Sequence, residues 1–336
     1  MKILSTIKAL LAKVTTPSLP LGALRRLTLQ EGCGEGRTEC SSWTRSGGGS
    51  SLLIFISVLS LSSCSSDDLS STSVFQDSTQ EQNDFDRWIH DNYVMAYNID
   101  LKYRMEDIET DYHYTLVPAD MDKSIKLAHI VRYCWLQAYD EVAGTAFTRK
   151  FVPKVLHFVG SPAVGRNGTM VLGTAEGGLK VTLYWVNGLK LEKDFLNYYY
   201  FLTMHHEFTH ILTHNKNYDT EFQKVSEADY IMGDWYQKYE TDALQAGFIS
   251  NYAMSEYNED FAETMAFYIV YTPEEWALRM RMAGSKGASI IETKLNYVKT
   301  YMKSAWNVDL DELRDVVQRR MDDVVNGRVD LDKLKD

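Results

Sequence analysis

The sequence has few of the features that define several large protein classes. Basic residues are in the minority, with 35 Lys and Arg against 46 Asp and Glu, and only four cysteines occur among 336 residues. The acidic balance argues against a nucleic-acid partner. No internal repeat of about 20–50 residues is present, which argues against a solenoid or propeller. A hydrophobic content of 45% remains, which is normal for a globular protein with a buried core.

The N-terminal region contains one apolar run, Ser51–Ser63, that is too short to span a membrane as a helix. Its length is typical of a secretory signal peptide, and it ends in Leu61-Ser62-Ser63-Cys64, which resembles a bacterial lipobox. A short buried strand with an incidental cysteine is the simpler alternative. Cleavage before Cys64 would remove Cys33 and Cys40 and leave only the lipidated Cys64 and Cys134, so we expect no internal disulfide.

Composition divides the chain into three parts. Residues 1–63 are predicted to be an atypical leader followed by the lipoprotein signal peptide, and we assign no function to residues 1–50. Residues 64–84 contain many Ser, Asp and Gln and little to bury, which predicts a disordered tether. Residues 85–336 are predicted to form the globular domain.

The order of predicted elements in the globular part indicates an α+β fold with a small, mostly antiparallel sheet and a helical C-terminal half. An amphipathic helix is predicted over 121–142, and the segment Thr272-Pro273-Glu274-Glu275 is typical of a helix start. Strands are predicted over 154–160, 169–173 and 179–186 because short β-rich runs there end in glycine or alternate with period two. Further helices are predicted over 288–306 and 310–325.

Half of the eight histidines lie in the stretch Met204-His205-His206-Glu207-Phe208-Thr209-His210-Ile211-Leu212-Thr213-His214. One register gives His-Glu-x-x-His, formed by His206, Glu207 and His210. Positions four apart on a helix differ by about 40° and are about 6 Å apart along one face, so both imidazoles can bind one Zn²⁺. Glu207 can then act as general base on a water molecule activated by the metal.

The other two histidines in the stretch are poorly placed to bind the same metal. His205 points about 100° away from His206, which favours a structural role. His214 lies about 12 Å along the helix from His206, beyond one coordination sphere. The metzincin pattern is also absent. It requires Gly at position 213 and His at position 216, where this sequence has Thr213 and Lys216.

A third ligand is therefore expected from another part of the chain. Glu259 and Glu263 are four residues apart at the start of a predicted apolar helix, so they share a face. Such a pair suits one metal ligand and one carboxylate that orients a ligating imidazole. Asp260 lies about 100° off that face and is the alternative ligand.

These motifs carry a family resemblance. The combination of His-Glu-x-x-His with the later Asn258-Glu259-Asp260-Phe261-Ala262-Glu263 resembles the gluzincin metallopeptidases and is similar to the catalytic domain of anthrax lethal factor. Gly160-Ser161-Pro162-Ala163, the segment 171–180 and the lipobox resemble zinc metallopeptidase lipoproteins associated with bacterial outer-membrane import systems. This similarity extends from about Cys64 to the C-terminus.

The resemblance implies a zincin-like fold and a role for each matching residue. His206, His210 and Glu259 become zinc ligands, Glu207 the general base, and Glu263 the partner that orients a ligand. Tyr252 becomes the hydroxyl that stabilises the oxyanion, with Tyr257 as its competitor. The strand over 179–186 becomes the edge strand along which a peptide substrate pairs.

The expected function is therefore a zinc-dependent endopeptidase acting on peptide or protein substrates. The expected location is the cell envelope, as a surface-exposed outer-membrane lipoprotein held by its lipid anchor, with an import complex as a partner by analogy. One alternative is a non-catalytic zinc-bearing lipoprotein that serves binding or assembly in a glycan or peptide uptake system. Another is a zinc hydrolase acting on different amide bonds, such as an amidase or deacetylase.

Overall fold

The computed structural model describes residues 82–106, 111, 113–164, 170–171, 173–176 and 179–335. The predicted leader, signal peptide and lipidated Cys64 lie outside the described residues, and so does nearly all of the predicted tether. None of the helices in the described part of the chain is both long and apolar enough to cross a membrane.

The described chain begins with a helical layer that packs on the core. In the first helix, the side chain of Asn83 accepts a hydrogen bond from the backbone N–H of Asp86. The carboxylate of Asp86 accepts one from the backbone N–H of Asn83, so a capping box starts the helix. Two helical segments continue through π-helical turns, at His90–Val94 and Arg132–Leu136. The helix predicted over 121–142 therefore exists, with a π turn in its middle. The elements of this layer are α1 (Asp84–Ile89), α2 (Met95–Tyr97), α3 (Met121–Val131), α4 (Gln137–Ala143) and α5 (Thr145–Phe151).

The sheet corrects one prediction. It has four strands, which lie in the order β1 (Asp100–Lys102), β2 (Val155–Phe158), β6 (Lys180–Leu183) and β5 (Gly173–Glu176). Strands β1, β2 and β6 are parallel, and only β5 is antiparallel to its neighbour. The prediction of a mostly antiparallel sheet is wrong because helices α3 to α5 connect β1 to β2, and such a crossover returns the chain in the same direction.

Two further strand predictions need correction. The strand predicted over 169–173 is divided between β4 (Met170–Val171), which pairs with β3 (Ala163–Val164), and β5 of the main sheet. The strand predicted over 179–186 forms as β6 but is internal, because β2 pairs on one side of it and β5 on the other. The edge next to the motif helix is therefore β5. Alternation identifies a strand, but it carries no information about neighbours.

The C-terminal half is helical, as predicted. Thr272 starts α11 through a capping box with Glu275, and Pro273 is its first residue. The helix predicted over 288–306 is the second part of α11, which kinks at Gly284, where φ is 69°. Residues 310–325 form α12 as predicted. The helices are α6 (Lys193–Leu196), α7 (Leu202–Asn215), α8 (Glu221–Lys224), α9 (Glu240–Ala246), α10 (Tyr257–Val270), α11 (Pro273–Trp306) and α12 (Leu310–Val325).

Candidate metal centre

The His-Glu-x-x-His motif lies on α7, which is buried in the middle of the domain. Every side chain from Leu202 to Thr213 is buried, so this helix packs against protein on all sides. His206 and His210 share one face, and their ring centroids are 4.7 Å apart. Their Nε2 atoms are 3.0 Å apart and point toward each other. The helix therefore brings two ligating atoms to one point, as predicted.

The third converging group comes from α10, which packs against α7. Glu259 Oε2 lies 2.9 Å from His206 Nε2 and 3.4 Å from His210 Nε2. Among the described residues, this is the one group of three or more His, Cys, Asp or Glu side chains whose ligand atoms all lie within 4.8 Å of one another. Asp260 is not a member of it.

The donor atoms fit a zinc ion. Two imidazole nitrogens and one carboxylate oxygen are the ligand set of many catalytic zinc sites, and ligands about 2.0–2.1 Å from zinc in tetrahedral geometry are about 3.3 Å apart. The three separations here, 2.9 to 3.4 Å, are close to that value. Glu259 Oε2 is also buried without a hydrogen bond of good geometry to any described residue, although two imidazoles surround it. A cation between the three atoms would satisfy it.

A chain of hydrogen bonds fixes the orientation of His206. Its Nδ1 lies 2.8 Å from Glu263 Oε1, and the second oxygen of Glu263 accepts a 2.6 Å hydrogen bond from Ser250 Oγ. Ser250 Oγ in turn accepts one from the backbone N–H of Ala253. Because Nδ1 donates to a carboxylate, Nε2 keeps its lone pair for a metal. Ser250 was not predicted, since it lies in an irregular segment with no motif around it.

The electrostatics of the site favour positive charge between the two carboxylates. Burial alone would raise the pKa of Glu259, but the imidazoles of His206 and His210 outweigh it and hold that pKa below its usual range. Burial likewise opposes a charge on His206, yet its contacts with Glu259 and Glu263 raise the pKa of that imidazole to about 10. A negatively charged carboxylate is thus available as a metal ligand.

Glu207 is buried next to the ligands. Only 6% of its surface is exposed, and burial raises the pKa of its carboxyl, while the nearby His206 and His210 oppose the shift. A raised pKa places a carboxylate closer to the range in which it can accept and return a proton at neutral pH. It lies beside the candidate ligand group rather than within it, and its role as general base stays a prediction.

The structure distinguishes the two tyrosines considered as oxyanion stabilisers. The Tyr252 ring lies 5.9 Å from the His206 ring, and burial together with the carboxylate of Glu259 raises the pKa of its hydroxyl well above the usual value. Tyr257 is 37% exposed and lies against Tyr230. Only Tyr252 therefore has a described contact with a residue of the converging group.

The remaining polar side chains of the motifs have structural contacts. His205 is fully buried, its Nδ1 is 3.0 Å from the Tyr139 hydroxyl, and burial lowers its pKa to about 3. His214 is exposed near the end of α7, with its ring 6.4 Å from that of His210. Asp260, the alternative ligand, is 2.6 Å from Lys294 Nζ and accepts a hydrogen bond from the Tyr230 hydroxyl. This buried ion pair was not predicted.

Comparisons with known proteins agree with this geometry. Residues 78–311 match the sequence model of a family described as "Putative zinc-binding metallo-peptidase". The chain is 46% identical in sequence to a protein of known crystal structure, a "putative zinc-binding metallo-peptidase" from Bacteroides caccae ATCC 43185, and the two structures superpose with a TM-score of 0.68. The match covers 78% of this chain and 100% of that one. No curated protein matches. The chain belongs to this family of zinc-binding metallo-peptidases, and His206, His210 and Glu259 form its candidate zinc site.

Proposed function

We propose that the protein is a zinc-dependent endopeptidase of the gluzincin type, with a zincin-like fold. His206 and His210 of α7 and Glu259 of α10 are the zinc ligands, and Glu207 is the general base. The convergence of the three ligand atoms beside a buried Glu207 carries this proposal.

Each residue has a task that its contacts support. Zinc, when bound, polarises the substrate carbonyl and lowers the pKa of a water molecule to about 7. Glu207 accepts a proton from the attacking water and returns it to the leaving amide nitrogen, since its carboxyl is buried next to His206 and His210. Glu263 and Ser250 hold His206 in its ligating orientation. Tyr252 donates a hydrogen bond to the oxyanion that forms at the carbonyl.

The substrate would bind in an extended conformation along β5. This strand lies at the edge of the sheet nearest to α7, and among the described residues it pairs with β6 alone. Addition of a peptide strand to such an edge places successive carbonyl groups along the site and satisfies the free backbone groups of the strand.

The proposal places the enzyme in the cell envelope. The lipobox around Cys64 supports a surface-exposed outer-membrane lipoprotein held by a lipid anchor, and the resemblance to import-associated lipoproteins supports an import complex as its partner.

Cleavage of a peptide library by the purified chain tests the catalytic proposal, with Glu207→Gln as the matched variant. We expect cleavage by the wild type and a loss of about 10²–10⁴-fold in the variant, because a general base contributes about that much. Equal zinc content in the two proteins is the control. Zinc in both with no cleavage by either would support the non-catalytic binding role instead.

A further inference from the structure

The segment Tyr230–Gln237 is fixed to the turn that carries Tyr252, and we call it the rim segment. The backbone N–H of Ile231 donates a 2.8 Å hydrogen bond to the carbonyl of Met254, and that of Met232 donates one of 3.1 Å to Ser255. The Trp235 ring packs edge-on against the Tyr252 ring at 4.8 Å. Since Tyr252 lies against His206, the rim segment borders the candidate zinc site.

The rim segment exposes large apolar side chains. Met232 is 76% exposed and Tyr236 is 51% exposed, and they flank Trp235, which is partly buried. Met232 also has a positive φ of 48°, a conformation that a side chain other than glycine rarely adopts. Strained backbone of this kind is found most often at functional sites, and neighbouring exposed apolar groups mark interaction surfaces. These side chains contribute little to the core and are accessible to a ligand.

The charges around the rim segment indicate the ligand's chemistry. The exposed residues from 227 to 242 carry one basic side chain, Lys238, and five acidic ones: Glu227, Asp229, Asp234, Glu240 and Asp242. Glu240 pairs with Arg279, and the other four carboxylates outnumber the single Lys238, which leaves a net negative charge in the sequence around the apolar group. The resulting negative potential favours a cationic partner. The negative potential would not attract a neutral glycan, whereas it would attract a peptide with basic residues.

We infer that the rim segment is a specificity subsite of the proposed peptidase. Met232, Trp235 and Tyr236 bind an aromatic or large aliphatic side chain of the substrate, and the surrounding carboxylates favour Lys or Arg next to it. This inference rests on the proposed function and adds the substrate class: peptides that combine a large apolar residue with a basic neighbour near the cleaved bond.

The test compares cleavage profiles on a peptide library for the wild type and the double variant Met232→Ser/Tyr236→Ser. Met95→Ser/Tyr198→Ser is the matched control, because Met95 is 66% exposed and Tyr198 is 37% exposed on other elements. We expect the preference for aromatic over small side chains to fall about 10-fold or more in the rim variant, since an apolar contact of this size discriminates by about that factor. The control should keep the wild-type profile. An unchanged profile in the rim variant would overturn the inference and leave the proposed function intact.

A second measurement separates this inference from the proposed function. If the wild type holds zinc but cleaves no peptide, the same library is bound to the Glu207→Gln variant and the retained peptides are identified by mass spectrometry. Enrichment of apolar–basic peptides that disappears with Met232→Ser/Tyr236→Ser would support the subsite without catalysis. No enrichment, or capture of neutral oligosaccharides that depends on Tyr236, would overturn it.

Discussion

At the scale of single residues, the contacts of each buried group determine what it can do around the candidate zinc site. Glu207 and Glu259 are both carboxylates with 6% of their surface exposed, yet their pKa values shift in opposite directions. Burial dominates for Glu207 and raises its pKa, while direct contact with two imidazoles lowers that of Glu259. One carboxylate is thus suited to proton transfer and the other to binding a cation.

Tyr252→Phe tests the role of the hydroxyl. We expect kcat to fall about 10²–10³-fold, because removal of one oxyanion donor costs about that much. KM and zinc content should change little, since the ring and its packing against Trp235 are kept. Steady-state kinetics measure the change, and Tyr257→Phe should behave like the wild type. The reverse result, a loss only in Tyr257→Phe, would move the role to Tyr257.

Glu263→Gln tests the hydrogen-bond chain through His206. The variant keeps the size of the side chain but loses the negative charge of the carboxylate. That carboxylate accepts hydrogen bonds from His206 Nδ1 and Ser250 Oγ. We expect zinc affinity to fall about 10–100-fold, as is typical when a partner of a ligating histidine is changed. Competition with a chelator measures it. Glu312→Gln, at an exposed site on α12, serves as control. Equal affinities would show that Glu263 does not orient the ligand.

At the scale of elements, the position of α10 depends on its attachment to α11. Asp260 follows Glu259 directly and pairs with Lys294 of α11, where both side chains are fully buried. Lys294 Nζ also donates to the carbonyl of Gly247 and lies 3.6 Å from the centre of the Phe248 ring. The ion pair therefore connects the start of α10 to α11 immediately beside Glu259, a candidate zinc ligand.

Lys294→Met should destabilise the protein by about 3–5 kcal/mol, because it leaves the charge of Asp260 buried without a partner. Urea unfolding measures the difference, with Lys303→Met at an exposed position of the same helix as control. The double variant Asp260→Asn/Lys294→Met should recover part of the loss. A cost below about 1 kcal/mol for Lys294→Met would mean that the pair does not hold the two helices together.

The elements also show what the sequence could and could not predict. The helices α11 and α12 have local start signals, and β2 and β6 have local β-rich patterns, so all four were found. Strand β1 has three residues and no such pattern, so its parallel pairing with β2 could not be inferred. The order of strands depends on contacts between distant segments. For that reason the sequence did not show that β5, rather than β6, is the edge strand.

At the scale of the whole molecule, the zinc site connects two helices that are far apart in sequence. The positions of His206, Glu207 and His210 follow from helical geometry and were predictable from one short motif. Glu259 and Glu263 could be placed on a shared face, but their approach to α7 required the fold. Ser250, Trp235 and Lys294 have no signal in the sequence, because their roles arise only from tertiary contacts.

The zinc content of the purified chain, measured by mass spectrometry after dialysis, tests the central claim most directly. We expect about one zinc ion per chain in the wild type and in Glu207→Gln, and little in His206→Ala or Glu259→Ala, since loss of one of three protein ligands removes a main contribution to affinity. Asp260→Asn should retain the metal. A wild type without zinc, or a His206→Ala variant that still holds it, would contradict the assignment of His206, His210 and Glu259 as the zinc ligands.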